Sequence, residues 1–277
     1  MERIKMLTEQ ASMNKLRWIM TELRDPETGC PWDIKQDFSS IVPHTIEEAY
    51  EVADAVMDAV EHQDFSELEK ELGDLLFQVI FYSQLGHEQK QFDFDSVVSA
   101  ICEKLIRRHP HVFGDKNLSS DADINANWEN EKAKERQQKS ASEQISILAD
   151  IPKNLPALSQ AAKIQKRCAH VGFDWHNIED VFAKVVEEVE EVKVEIEQNN
   201  PEALAEELGD LMFAVVNLCR HAKKDPEQLL RQANQKFTKR FHGVEKQVET
   251  SGIEFEQHTL EKLEEYWQQV KLNEKQQ

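Results

Sequence analysis

The sequence predicts an all-α protein built from two tandem copies of one helical unit. Three observations carry this: few turn residues, long stretches with a helical apolar period, and an internal repeat. Gly and Pro number 8 each in 277 residues, well below the roughly 12% of average usage. A sandwich or barrel made of many tight turns needs more of them. Hydrophobic residues make up 40%, enough for a core, so wholesale disorder is excluded.

The repeat fixes the organisation. Residues 71–77 read ELGDLLF and residues 207–213 read ELGDLMF. Upstream, EEAYE at 47–51 matches EEVEE at 187–191; downstream, KLIRR at 104–108 matches KFTKR at 236–240. A weaker match pairs Trp128-x-x-x-Lys132 with Trp267-x-x-x-Lys271. The order is the same and the spacings are similar (140, 136, 132 and 139 residues), as expected of two copies with small insertions between them. Polar residues dominate 115–150, and Ile151-Pro152 and Leu155-Pro156 then disfavour helix. We therefore expect an N-terminal domain over 1–137, with helix running through Trp128, a linker over 138–150, and a C-terminal domain over 151–277.

Within the second copy, Val185, Val189, Val192 and Ile196 form one helical stripe. Leu204, Leu208, Leu211, Val215 and Leu218 form another, beyond the turn signal Asn199-Asn200-Pro201. A short connection predicts an antiparallel pair. At ~100° per residue, Glu188 and Glu191 lie along one edge of the first stripe, with Lys184 one turn earlier. Glu207 and Asp210 take the same angles on the second. Both cross-pairs, Glu188 with Asp210 and Glu191 with Glu207, are centred on residue 199. Stripe-to-stripe packing then brings four carboxylates together on one side of the hairpin. In the first copy Glu48, Glu51, Glu71 and Asp74 occupy the matching angles, centred on residue 61 beside His62-Gln63-Asp64. Glu187, Glu190, Glu195 and Glu197 point elsewhere and read as a solvated face. Asp74 and Asp210 precede LLFQVIFY and LMFAVV, runs apolar on nearly every side, which predicts buried helices. Buried acids need a partner or a metal.

An all-oxygen set suits a hard cation, Mg²⁺ or Mn²⁺. A di-iron bundle site uses Glu-x-x-His, which is absent from this chain. Mg²⁺ is commonly shared with substrate phosphates, so a polyphosphate is the natural substrate, and the chain has no P-loop. Lys184, and the basic group Lys236, Lys239 and Arg240, are the cations at hand. Trp267 is either a surface for a base or a core residue.

The net charge of −20, from 53 acids and 33 bases, argues against a nucleic-acid polymer or an acidic membrane as partner. The longest strongly apolar stretch, Leu75 to Tyr82, is far short of the ~18 residues of a membrane span. The four cysteines form no C-x-x-C pair, and the charged first 25 residues lack a signal-peptide apolar core. A reduced, cytoplasmic setting is expected.

EExxE followed by ExxD on paired helices resembles the MazG family of all-α nucleoside triphosphate pyrophosphohydrolases. GCPWD at 29–33, RRHPHVF at 107–113, KIQKRCAHVGFDW at 163–175 and both ELGDL segments extend the resemblance over the whole chain, to the bacterial two-copy form. The resemblance implies hydrolysis of NTPs and dNTPs to NMP and pyrophosphate. It implies catalytic Mg²⁺ held by Glu188, Glu191, Glu207 and Asp210, and nucleotide contacts from Lys184, Lys236, Arg240 and Trp267. It also implies a homodimer in which the acidic hairpins assemble into helical bundles. Glu48, Glu51, Glu71 and Asp74 make a second metal site, but His44 stands where the second copy has Lys184. The second copy is thus expected to be the main catalytic one. The competing reading is an acidic helical metal-binding adaptor without turnover.

Overall fold

A computed structural model describes Met6, residues 10–139 and residues 146–274. The described residues form helices joined by short connections, with no strand among them. The chain divides into two compact units, one ending at Glu131 and the other starting at Lys132. Of the expected linker, residues 140–145 lie outside the described residues, and residues 147–150 form a turn. Arg167 Nη1 donates to the carbonyls of Ile147, at 3.0 Å, and Ala149, tying this turn to the second unit.

The first unit contains α1 (Met13–Leu23), α2 (Pro31–Lys35), α3 (Val42–His62), α4 (Ser66–Glu88), α5 (Phe94–Arg108) and α6 (Pro110–Phe113). Helix α7 (Asp121–Lys139) includes Trp128, as expected, and crosses the boundary between the units. Helices α3 and α4 pack as an antiparallel hairpin, and α1 lies against α4. Gln63, at φ 57°, ends α3 in a left-handed turn. The core gathers Met20, Ile41, Ile80, Phe81 and Leu85, with Leu16, Phe38, Phe77, Tyr82 and Phe94 packed around them.

Arg24 fixes the segment that carries GCPWD. Its Nε and Nη2 bond both carboxylate oxygens of Glu88 at 2.8 and 2.7 Å, while Nη1 donates to the carbonyls of Asp33 and Gln36. A side chain at Gly29 would meet the carbonyl oxygens of Leu23 and Asp25 at 2.5 and 2.6 Å, so this close backbone approach requires glycine.

The second unit repeats the plan with α8 (Ala157–His170), α9 (Ile178–Gln198), α10 (Pro201–His221), α11 (Pro226–Ser251) and α12 (Leu260–Glu274). Helices α9 and α10 form its hairpin, α8 packs on α10, and α11 pairs with α12. Local chemistry sets the hairpin. Asn177 caps α9 by accepting from the Asp180 amide at 2.8 Å. Asn199, at φ 54°, ends α9 in the left-handed conformation that asparagine tolerates. Asn200 then caps α10, with Pro201 in its first turn.

One expectation needs correcting. The apolar hairpin helices are not buried on all sides within the chain: Val189, Ile196, Leu208, Met212 and Val215 are exposed, as are Ile46, Val56, Val60, Leu72 and Val79. Each hairpin is covered on one flank by its own unit, which leaves an apolar flank open. Among the described residues, no helix is long and apolar enough to cross a membrane.

Candidate active site

The hairpin register brings Glu188, Glu207 and Asp210 together. Each contributes a carboxylate oxygen, and these oxygens lie within 4.8 Å of one another. Glu188 is buried, at 4% exposure, whereas Asp210 is open to solvent. Lys184, one turn earlier on α9, lies 2.7 Å from Glu188 Oε1 and 3.0 Å from Glu187 Oε1. These contacts, Glu188 first, raise the lysine's pKa and keep it charged. The other oxygen, Glu188 Oε2, is buried with no hydrogen-bond partner.

Glu191 falls outside this three-residue group but remains electrostatically part of it. Burial, and then the Glu188 charge, push its carboxyl up. Burial also raises Glu207, with Glu191, Glu188 and Asp210 adding to the shift. Acids so arranged resist shared ionisation in the absence of a cation. An orphaned buried oxygen amid an all-carboxylate set is the donor chemistry of a hard divalent ion, so the residues present fit Mg²⁺ or Mn²⁺.

The first unit repeats the triad: Glu48, Glu71 and Asp74 offer oxygens within 4.8 Å, and Glu51 again stands outside. Burial raises Glu48, against a hydrogen bond from Gln78 and with help from Asp74 and Glu51. Burial and then Glu51 raise Glu71. The residue in the place of Lys184 differs: His44 Nδ1 lies 3.5 Å from Glu47, and its ring centroid is 5.7 Å from that of Trp32.

A cavity of about 430 Å³ borders Lys184, Glu188 and Asp210 in the second unit. Its wall includes residues to which the sequence reading gave no role: Gln165, Phe173, Asp174, Trp175, Asn217 and Arg220. Arg220 clamps the Asp174 carboxylate, with Nη1 at 2.9 Å from Oδ2 and Nη2 on Oδ1. His221 Nε2 lies 2.9 Å from the same Oδ1. Burial works against the Asp174 charge, but Arg220 and His221 prevail and lower its pKa to about 2. The GFDW segment was the one available signal for Asp174 and Trp175. Gln165 and Asn217 are buried polar residues of α8 and α10, and neither belongs to a periodic pattern.

Lys236, Arg240 and Trp267 do not line this cavity. They gather on α11 and α12, where Arg240 Nε bonds Glu274 at 2.8 Å and its guanidinium lies 6.0 Å from the Trp267 ring centre. Trp267 packs on Phe237, with centroids 5.1 Å apart. Lys236 is exposed.

Two helical units, each with a carboxylate cluster on an antiparallel hairpin, define a class of tandem all-α proteins. Both units match the MazG nucleotide pyrophosphohydrolase domain, over residues 36–113 and 176–249. The chain belongs to the MazG family. It is 50% identical over 264 residues to the nucleoside triphosphate pyrophosphohydrolase of Escherichia coli K12, covering 95% of this chain and 98% of that one. It is 42% identical to the nucleoside triphosphate pyrophosphohydrolase/pyrophosphatase MazG of Thermotoga maritima, over 91% of this chain and 93% of the relative. A third relative, the uncharacterized protein YabN of Bacillus subtilis, is 41% identical over 94% of this chain and 51% of its own length.

Proposed function

We propose that this nucleoside triphosphate pyrophosphohydrolase cleaves NTPs and dNTPs to NMP and pyrophosphate, chiefly in its second unit. One observation carries the reading: Glu188, Glu207 and Asp210 converge beside Lys184 at the edge of a cavity large enough for a small molecule. Glu188, Glu207 and Asp210 would hold Mg²⁺, with Mn²⁺ as a substitute, and Glu191 completes the acidic set. A bound cation supplies Lewis-acid neutralisation of the phosphates and polarises water. Lys184, held on α9 by two glutamates, presents a fixed positive charge to the phosphoryl oxygens, where negative charge grows as the anhydride breaks. Lys236, Arg240 and Trp267 are read as further nucleotide contacts, as the family resemblance implies, with Arg240 lying over the Trp267 ring.

The open apolar flank of α9 and α10 supports a homodimer in which hairpins pair, since contiguous exposed apolar area marks an interface. The first-unit triad of Glu48, Glu71 and Asp74, with Glu51, is read as a second metal site. A cytoplasmic setting is part of the same reading.

Chromatography of early time points with ATP and Mg²⁺ tests the bond choice. AMP and pyrophosphate are expected from the start. Early ADP and orthophosphate would refute this reading, and no turnover with any NTP would favour the adaptor.

A further inference from the structure

Gln165 is the single buried residue of α8, at 7% exposure. Its Nε2 donates to the Phe213 carbonyl at 2.8 Å. This bond fixes the amide orientation, because a carbonyl oxygen in that place would face another acceptor. Its Oε1 is thus the other end of the amide, and it is buried with no hydrogen-bond partner. A buried acceptor left unmade costs folding free energy, and Gln165 lines the cavity that borders Lys184, Glu188 and Asp210. The same wall carries Phe173, 78% exposed, and Trp175, 42% exposed. Such open aromatic faces favour stacking on a planar ring.

In the first unit the buried residue of the leading helix belongs to an apolar core. Met20 is the single buried residue of α1, as Gln165 is of α8. Phe81 and Asn217 each lie ten residues after the glutamate of their ELGDL segments. Met20 and Phe81 pack together in a hydrophobic core, whereas Gln165 and Asn217 line an open cavity.

We infer that this cavity seats the nucleobase, and that Gln165 reads it by accepting a hydrogen bond from an N–H group on the base edge. The inference rests on the proposed function and adds a specificity residue to it. Adenine and cytosine offer an exocyclic amino group, uracil and thymine a ring N–H, and guanine both. A single acceptor therefore admits every common base and disfavours a base without an N–H. It also places the base away from Trp267.

The test compares ATP with purine riboside triphosphate, which lacks only the 6-amino group and has no N–H on its base. The wild-type protein should show a KM for ATP about tenfold lower, the effect of one hydrogen bond, with a similar kcat. Gln165→Met should bring the two KM values within about twofold of each other and leave circular dichroism unchanged. If that variant fails to fold, the wild-type comparison decides alone. Equal wild-type KM values, or discrimination of ATP from dATP in their place, would overturn the inference. If neither nucleotide is hydrolysed, the enzymatic reading fails separately. Calorimetric binding of the same pair then decides: tighter ATP supports the role of Gln165, and equal affinities overturn it.

Discussion

Lys184 Nζ lies 2.7 Å from one oxygen of Glu188, while the second oxygen of that carboxylate is buried and unpartnered. The pair holds a lysine beside an acid with an oxygen still to satisfy. The first unit has no such pair at the matching position: His44 lies against Glu47 instead. The first unit therefore has no lysine one turn before Glu48.

The two units should therefore contribute unequally. Glu191→Ala is expected to remove most NTP turnover and Glu51→Ala little. Lys184→Met should lower turnover by about 10–100-fold, since charged hydrogen bonds contribute roughly 1.5–3 kcal/mol. Steady-state kinetics of the three variants on one NTP check this. Equal losses for Glu191→Ala and Glu51→Ala would show that the lysine is not what separates the units.

Removing one of the exposed-side acids should silence the site without unfolding it. Asp210→Ala and Glu207→Ala should each abolish turnover and leave the helical circular dichroism nearly unchanged, because neither side chain is in the core. Chelator should do the same to the wild-type protein, with recovery on adding Mg²⁺ or Mn²⁺. Full activity in either variant would take the acids out of the chemistry.

Asp174 predicts a pH-dependent stability. Its carboxyl is lowered from 3.8 to about 2. The group thus stabilises the fold above its unfolded pKa, and that contribution fades as pH falls from about 4 to about 2. The carboxylate is 23% exposed, so after solvent screening we expect about 1–2 kcal/mol for Asp174→Asn at neutral pH. Denaturant unfolding should show this gap at pH 7 and a much smaller one near pH 2.5. A gap independent of pH would mean that packing, not the ion pair, is responsible.

Phe81 is the test of the first core. It is 1% exposed and meets Phe77 edge-on at a centroid distance of 5.9 Å. Phe81→Ala should cost about 3–5 kcal/mol, seen as an earlier unfolding transition of the first unit. NTP turnover by the second unit should persist below that transition.

What the sequence made legible follows from periodicity. The hairpins, the Asn199–Asn200–Pro201 turn and the meeting of Glu188, Glu207 and Asp210 all derive from a 3.6-residue repeat and a symmetric register. Periodicity places positions on a face but does not set the reach of a side chain, so it grouped Glu191 and Glu51 with triads that they flank. It also does not reveal what covers an apolar face. Met212 and Val215 lie in a run that reads as core, yet each is more than 40% exposed in the chain. Gln165, Asn217 and the Asp174–Arg220 clamp are one-off polar choices in tertiary contact, which no repeat encodes.

The two hairpins also differ in length in an instructive way. Helix α3 runs 14 residues from Glu48 to its end at His62, whereas α9 runs 10 from Glu188 to Gln198. The four-residue difference is about one helical turn, since a turn takes 3.6 residues. The arm beyond the acids has thus been lengthened with the acids kept on the same face. Length at the hairpin tips is free only in steps of a full turn. An insertion of two residues on one arm would swing one carboxylate pair by about 200° and scatter the site, while four would only move the tip outward. The loops at 63–65 and 199–200 are therefore less a flexible connection than a phase setting for the chemistry.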